Sequence, residues 1–115
     1  MAISSEGLKE LRTNSAVKGS ALISKDGIIV AADLPPGVYL DTFAIMCATV
    51  LGAAITAHSE LNLPPPKSVI ISSDGDSTVI LNSGKKTLLV LLIGKDHNAT
   101  KVIDEISPMV AKFST

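Results

Sequence analysis

The chain has 115 residues, 46% of them hydrophobic and 18% charged, with a net charge of −1. That length predicts one domain, residues 1–115, with a real core, and that composition excludes a disordered chain. Ten basic residues against eleven acidic ones offer no basic patch, and the three aromatics Tyr39, Phe43 and Phe113 offer little stacking surface, so nucleic acid is not an expected partner.

Residues 4–12 read as a short helix. Ser4 or Ser5 can cap it, Glu6 suits the positive first turn, and Ile3, Leu8 and Leu11 give it one apolar side. VKGSALIS then leads to Lys25-Asp26-Gly27 and IIVAA. Asp-Gly between two β-branched runs signals a hairpin, with Gly27 free to take positive φ. Pro35-Pro36-Gly37 ends the second strand. Residues 41–61 are helical in pattern, with Asp41 at the positive end, and Pro64-Pro65-Pro66 stops the segment. Three strands follow at 68–72, 77–82 and 86–93. Asp74-Gly75-Asp76 and Ser83-Gly84-Lys85 are the turns between them. A last helix covers 98–113, with Asp96 or Asn98 as cap. Its apolar face is Ala99, Val102, Ile103, Ile106, Val110 and Phe113, and Pro108 is expected to kink it. The order is α-β-β-α-β-β-β-α, an α/β (α+β) class. Leu88 to Ile93 is apolar without alternation, which predicts a central strand covered on both faces.

On a helical wheel of 41–61, Val50, Cys47, Ala54, Ala57 and Leu61 gather around Phe43, with Met46 beside them. This is the predicted sheet face. The other side holds Ile45, Ala48, Thr49, Gly52, Thr56 and Ser59, and carries no charge before Glu60. A water-facing helix side normally carries Lys and Glu. Ala44, Ala48, Gly52 and Thr56 recur at fourfold spacing, which lets a second helix approach closely. The strand 68–72 is apolar at Val69, Ile70 and Ile71 and lacks Lys or Pro within it, so as an edge it is undefended. The expected partner is a second copy. Ala44, Ala48, Gly52, Ile55, Val69, Ile70 and Ile71 are the candidate dimer interface.

Catalytic constellations are thin. No phosphate-binding glycine motif is present. Gly84-Lys85-Lys86-Thr87 lacks the upstream glycine of a P-loop, and Asp74-Gly75-Asp76 lacks the closing Glu of a calcium loop. Cys47 stands alone, so no internal disulfide and no Cys-based zinc site can form, and a reducing, cytoplasmic setting fits. Cys47 reads as an inert core thiol, His58 as a partner of the helix end, His97 as a loop residue and Arg12 as a solvated helix residue. No enzyme activity, cofactor or metal is expected. MAISSEGLKELR shows no apolar signal core, and the charge-free stretch 42–57 is shorter than a membrane span, so direct membrane insertion is not expected.

VKGSALISKDGIIVAA, the small-residue helix, SVIISSDGDSTVILNSGKKTLLVLLIG and the closing amphipathic helix together resemble the roadblock family of dynein light chains and prokaryotic regulators of Ras-like GTPases. The resemblance covers nearly the whole chain. It implies a profilin-like, five-stranded antiparallel sheet of order 2-1-5-4-3. The first and last helices lie on one face and the middle helix on the other. It further implies a homodimer joined through third strands and middle helices, and a Ras-like small GTPase as partner. Ile45, Thr49, Thr56 and Ser59, at the margins of the helix pair, are the candidate partner-binding positions. The alternatives are a scaffold subunit without GTPase regulation, or a small-ligand sensor of profilin or PAS type.

Overall fold

The computed structural model describes residues 5–113, so Ile3 and Ser4 of the expected first helix lie outside the described residues. The elements in order are α1 (Ser5–Lys9), a 3-10 turn (Glu10–Thr13), β1 (Val17–Ser24), β2 (Ile29–Asp33), α2 (Leu40–Glu60), β3 (Ser68–Ile71), β4 (Ser77–Leu81), β5 (Thr87–Ile93), α3 (Ala99–Val110) and a closing 3-10 turn (Ala111–Phe113). The strands form one sheet of order β2-β1-β5-β4-β3. Every pairing in it is antiparallel. The implied topology is therefore the observed one.

Alternation along β5 explains the two layers. Leu89, Leu91 and Ile93 point to the side where Leu8, Leu11, Val102, Ile106 and Phe113 pack. Leu88 and Val90 point to the side of Ala44, Cys47 and Leu51. A strand apolar on both faces thus sits in the middle of the sheet. The expected face of the last helix is buried as read, with Met109 joining it. Asn98 caps α3 by accepting from the Lys101 amide at 3.0 Å. Pro108 lies inside α3, which tightens into the 3-10 turn soon after it. Proline offers no N–H to the preceding turn, so the regular ladder is interrupted there.

The first hairpin turns at Gly27, whose φ is +88°. The Ser24 carbonyl accepts from the Gly27 amide at 2.9 Å, and the Ser24 amide donates to the Ile28 carbonyl at 2.8 Å. The 3-10 turn is tied to the end of β2 by a two-pronged ion pair. Arg12 Nε lies 2.6 Å from Asp33 Oδ2, and Nη2 lies 3.0 Å from Oδ1. The Asp33 side chain keeps only 11% of its exposure. Arg12, expected to be solvated, is held in a fork that its planar guanidinium suits.

Gly19 is required by a close approach. The β1 register shifts between Val17 and Gly19, and a Cβ at Gly19 would stand 2.8 Å from the Asp33 carbonyl oxygen. A Gly19→Ala change forces that backbone apart and is expected to lower stability by about 1–3 kcal/mol, read as a lower urea midpoint. The next residue gives the internal control. Ser20 Oγ is buried without a hydrogen-bond partner among the described residues, so Ser20→Ala should leave the midpoint unchanged or raise it.

Candidate interaction surface

α2 packs on the sheet with the stripe Ala44, Cys47 and Leu51. Phe43, Ala48, Val50 and Ile55 close its flanks. This corrects the predicted face. Ala44, expected in a dimer contact, is fully buried against the sheet and cannot meet a partner. Met46, Ala57 and Leu61, expected inside, are exposed. The sequence pattern centres the helix on the large Phe43. The true centre is the small Ala44 with Leu51, because a small residue brings the helix axis close to the strands and Phe43 then spreads along one flank. Ala48 and Ile55, also candidates for the dimer contact, are half-buried at the margins.

The outward side holds Ile45, Met46, Thr49, Gly52, Ala53, Thr56, Ala57 and Ser59, all exposed. Its only charges are the terminal Asp41 and Glu60. Asp41 falls in the first turn, where its charge meets the positive dipole end, and Tyr39 takes the cap position without a side-chain bond. Ile45 is 50% and Met46 52% exposed. Thr49 Oγ1 donates to the Ile45 carbonyl of its own helix at 2.7 Å. That bond satisfies the hydroxyl within the chain and leaves the methyl outward. α2 is long and apolar enough, by length and composition, to cross a membrane. The sequence estimate fell short because the helix runs past 42–57 at both ends. In the fold, one side of it is committed to the sheet.

The surface continues beyond α2. A Cβ on Gly27 would lie 3.2 Å from Ile45 Cα, so the first hairpin tip abuts the helix and brings exposed Ile28 beside it. At the far edge of the sheet, β3 leaves Ile70 and Ile71 exposed, and Val69 packs towards α2. Among the described residues β3 pairs only with β4, so one side of its backbone has no strand neighbour there. An exposed apolar edge of this kind is a template for another strand.

The remaining candidate groups are absorbed by local structure. His58 Nδ1 donates to the Pro64 carbonyl at 2.9 Å and fastens the proline run to the end of α2. Asp76 Oδ1 accepts from the Lys95 amide at 3.1 Å and from Lys18 at 3.4 Å, which ties the β3–β4 turn to the end of β5. His97 is exposed in the turn before α3. Gly84 and Lys85 form the turn between β4 and β5, as read. Among the described residues, no three His, Cys, Asp or Glu side chains group as metal ligands would. Sequence reasoning missed Met46, Leu61 and Ile28 as surface groups. The Gly27 turn was the available signal for Ile28, since a tight hairpin tip has little side chain of its own to bury.

The sheet thus carries an uncharged helix face and an apolar strand edge, both exposed among the described residues. The chain belongs to the Roadblock/LC7 domain family, whose model matches residues 4–92. It is 32% identical over 88 residues to the uncharacterized protein MJ0714 of Methanocaldococcus jannaschii, covering 76% of this chain and 75% of that one. It superposes on Myxococcus xanthus MglB with a TM-score of 0.86 at 14% identity, covering 96% of this chain and 84% of that one. On profilin Ib of Acanthamoeba castellanii the TM-score is 0.67 at 12% identity, with 94% of each chain covered. These two likenesses show the fold.

Cys47 lies buried under α2. Burial against the sheet disfavours the thiolate and pushes its pKa from 9.0 up to about 11. The folded thiol therefore holds its proton through a range where the unfolded thiol ionises. Its contribution to stability is complete below pH 9 and falls away between pH 9 and 11. Native protein at pH 8 should react with a thiol-specific disulfide reagent at least about tenfold more slowly than protein in denaturant. Stopped-flow absorbance reads this, and equal rates would show that Cys47 is accessible.

Proposed function

We propose that this chain is a non-catalytic, homodimeric regulator or scaffold that binds a Ras-like small GTPase and modulates its GTP hydrolysis or its localisation in the cytoplasm. The observation that carries the homodimer is Gly52. It is exposed in the middle of α2, and a Cβ built on it meets nothing within 4 Å. Glycine there costs the helix about 1 kcal/mol relative to alanine. Nothing in its own chain needs the missing side chain. A second helix packed at that point does, because it can then approach at backbone distance. Ala48 and Ile55 flank that seam, and Val69, Ile70 and Ile71 offer the strand edge beside it.

Family membership supports the GTPase reading. Ile45, Thr49, Thr56 and Ser59 form the platform at the margins of the helix pair. They are uncharged and mostly small, which suits the water-excluded centre of a contact. The GTP and GDP states of such a partner differ in their switch loops, so preference for the GTP form arises from contact with those loops. Arg12 is locked onto Asp33 away from α2, so any stimulated hydrolysis comes from ordering the GTPase's own residues. A scaffold without this preference is the second form of the same reading.

Gly52→Glu separates the levels. The substitution has open space in the single chain, so the fold should survive. At the seam it desolvates a carboxylate, at a cost on the order of several kcal/mol. Light scattering after size exclusion should give twice the chain mass for the wild type and a single-chain mass for the variant. Titration of wild type against the co-purifying GTPase should show tighter binding of the GTP-analogue form. Equal affinity for both nucleotide states removes the regulator and leaves the scaffold. A wild type of single-chain mass removes the homodimer.

A further inference from the structure

On the face of the sheet opposite α2, α3 does not close the β3 side. An open groove of about 260 Å³ runs between α3 and the end of β4, with Leu81, Ile103 and Val110 in its lining. Ile103, Ser107 and Val110 stand three or four residues apart and form one uncharged flank of α3. Ser68 pairs with Leu81 and Ile70 with Val79, so Ile70 lies on the same face one row further along, 39% exposed. Two polar groups at the groove are satisfied within the chain. Ser83 Oγ donates to the Thr87 carbonyl at 3.2 Å, and Asn82 Nδ2 donates to the Pro66 carbonyl at 3.2 Å. What the groove offers an occupant is mainly apolar surface, with room for one bulky side chain.

The groove reaches the end of the sheet at Lys67, Asn82 and Ser83. Three loops are bolted together there. The Lys25 amide donates to the Lys86 carbonyl at 2.9 Å, and the Asn82 amide donates to the Lys67 carbonyl at 2.9 Å. Lys25 Nζ donates to Asn82 Oδ1, a neutral acceptor that holds the ammonium without cancelling its charge. Residues 25–28, 61–67 and 82–86 carry Lys25, Lys67, Lys85 and Lys86 against the single carboxylate of Asp26. Among the described residues, Lys9, Arg12, Lys18 and Lys112 face carboxylates, and these four lysines form no ion pair. In a chain of total charge −1 they make a positive pole that the near-neutral sum conceals. Like charges gathered without partners repel, and an anionic partner relieves that repulsion.

We propose that the groove between α3 and β4 takes an acidic segment of another protein. One bulky aliphatic side chain of the segment seats against Leu81, Ile103 and Val110, and flanking Asp or Glu residues face Lys67, Lys85 and Lys86. The carboxylates steer the approach and the aliphatic group is desolvated in the groove. A nucleic-acid strand supplies the charge without the aliphatic group. A bilayer supplies a plane of headgroups, whereas a recess between a helix and a strand end suits a projecting side chain. The site lies on the sheet face opposite α2, so it depends on neither the homodimer nor the GTPase reading, and it lets one chain hold a second partner.

Selection of random displayed peptides on the immobilised full chain tests this. The wild type should enrich peptides in which an aliphatic residue is flanked by Asp or Glu. By fluorescence anisotropy, a synthetic copy of an enriched peptide should bind about tenfold or more weakly to the Lys67→Gln/Lys85→Gln/Lys86→Gln variant, and likewise to Ser107→Glu. All four positions are exposed, so the helical circular dichroism should not change. Gly52→Glu should bind the peptide as the wild type does, and added salt should weaken binding. Absence of enrichment, enriched peptides without acidic residues, or equal binding by the lysine variant overturns the proposal. Co-sedimentation with phosphatidylserine vesicles without peptide enrichment also overturns it and makes the basic end a membrane contact. Loss of peptide binding in Gly52→Glu overturns the placement on the far face.

Discussion

β5 is apolar on both faces and must therefore be covered twice. This one constraint arranges the rest of the structure. It puts β5 in the middle of the sheet, with β1 and β4 beside it and β2 and β3 at the edges. It demands helices on both sides. α1 and α3 share one side, and α2 covers the other alone. A single helix cannot cover a five-stranded sheet, so a row of the sheet stays open along its flank. That open row, the bare β3 edge and the uncharged back of α2 lie next to one another. The exposed apolar surface is thus a direct consequence of how the core is closed.

The two edges are treated differently. α1 and its 3-10 turn lie against β2, whose end is clamped by the Arg12–Asp33 fork. Among the described residues β3 has no such cover. Its exposed Ile70 and Ile71 sit where a charged residue would normally discourage pairing. The contrast is what the proposed pairing of β3 edges builds on. An exposed ion pair alone contributes little to stability. The Arg12–Asp33 pair is two-pronged and its carboxylate is nearly buried, which gives it the geometric value of a latch.

Most of the architecture was legible in the sequence because its signals were local. The Asp26-Gly27 turn, the proline run and the unbroken apolar run of β5 each have one structural solution. The orientation of α2 was less legible. A helix made of Ala, Thr, Gly, Ile and Val has no sharp boundary between its faces, so a wheel centred on Phe43 came out turned by about one residue. Ala44 was assigned outward when it is core, and Leu61 inward when it is exposed. Gly52, Thr49, Thr56 and Ser59 are exposed as read; Thr49 and Thr56 lie far round the helix from either centre, and Gly52 and Ser59 sit on the flank of the Ala44 stripe. The open apolar hollow beside Phe43 was not legible at all. It depends on the path of residues 34–38 over Gly19, which no periodicity encodes.

The central claim is that the β3 edge and the back of α2 are covered by a second copy of the chain. Hydrogen–deuterium exchange along β3, followed over a wide range of protein concentration, tests it most directly. The amides of Ser68–Ile71 that are not bonded to β4 should be strongly protected at high concentration and lose that protection on dilution, in step with the fall in mass. Fast exchange of those amides at every concentration would contradict the account, because it would leave the edge open to water in the state that carries the function.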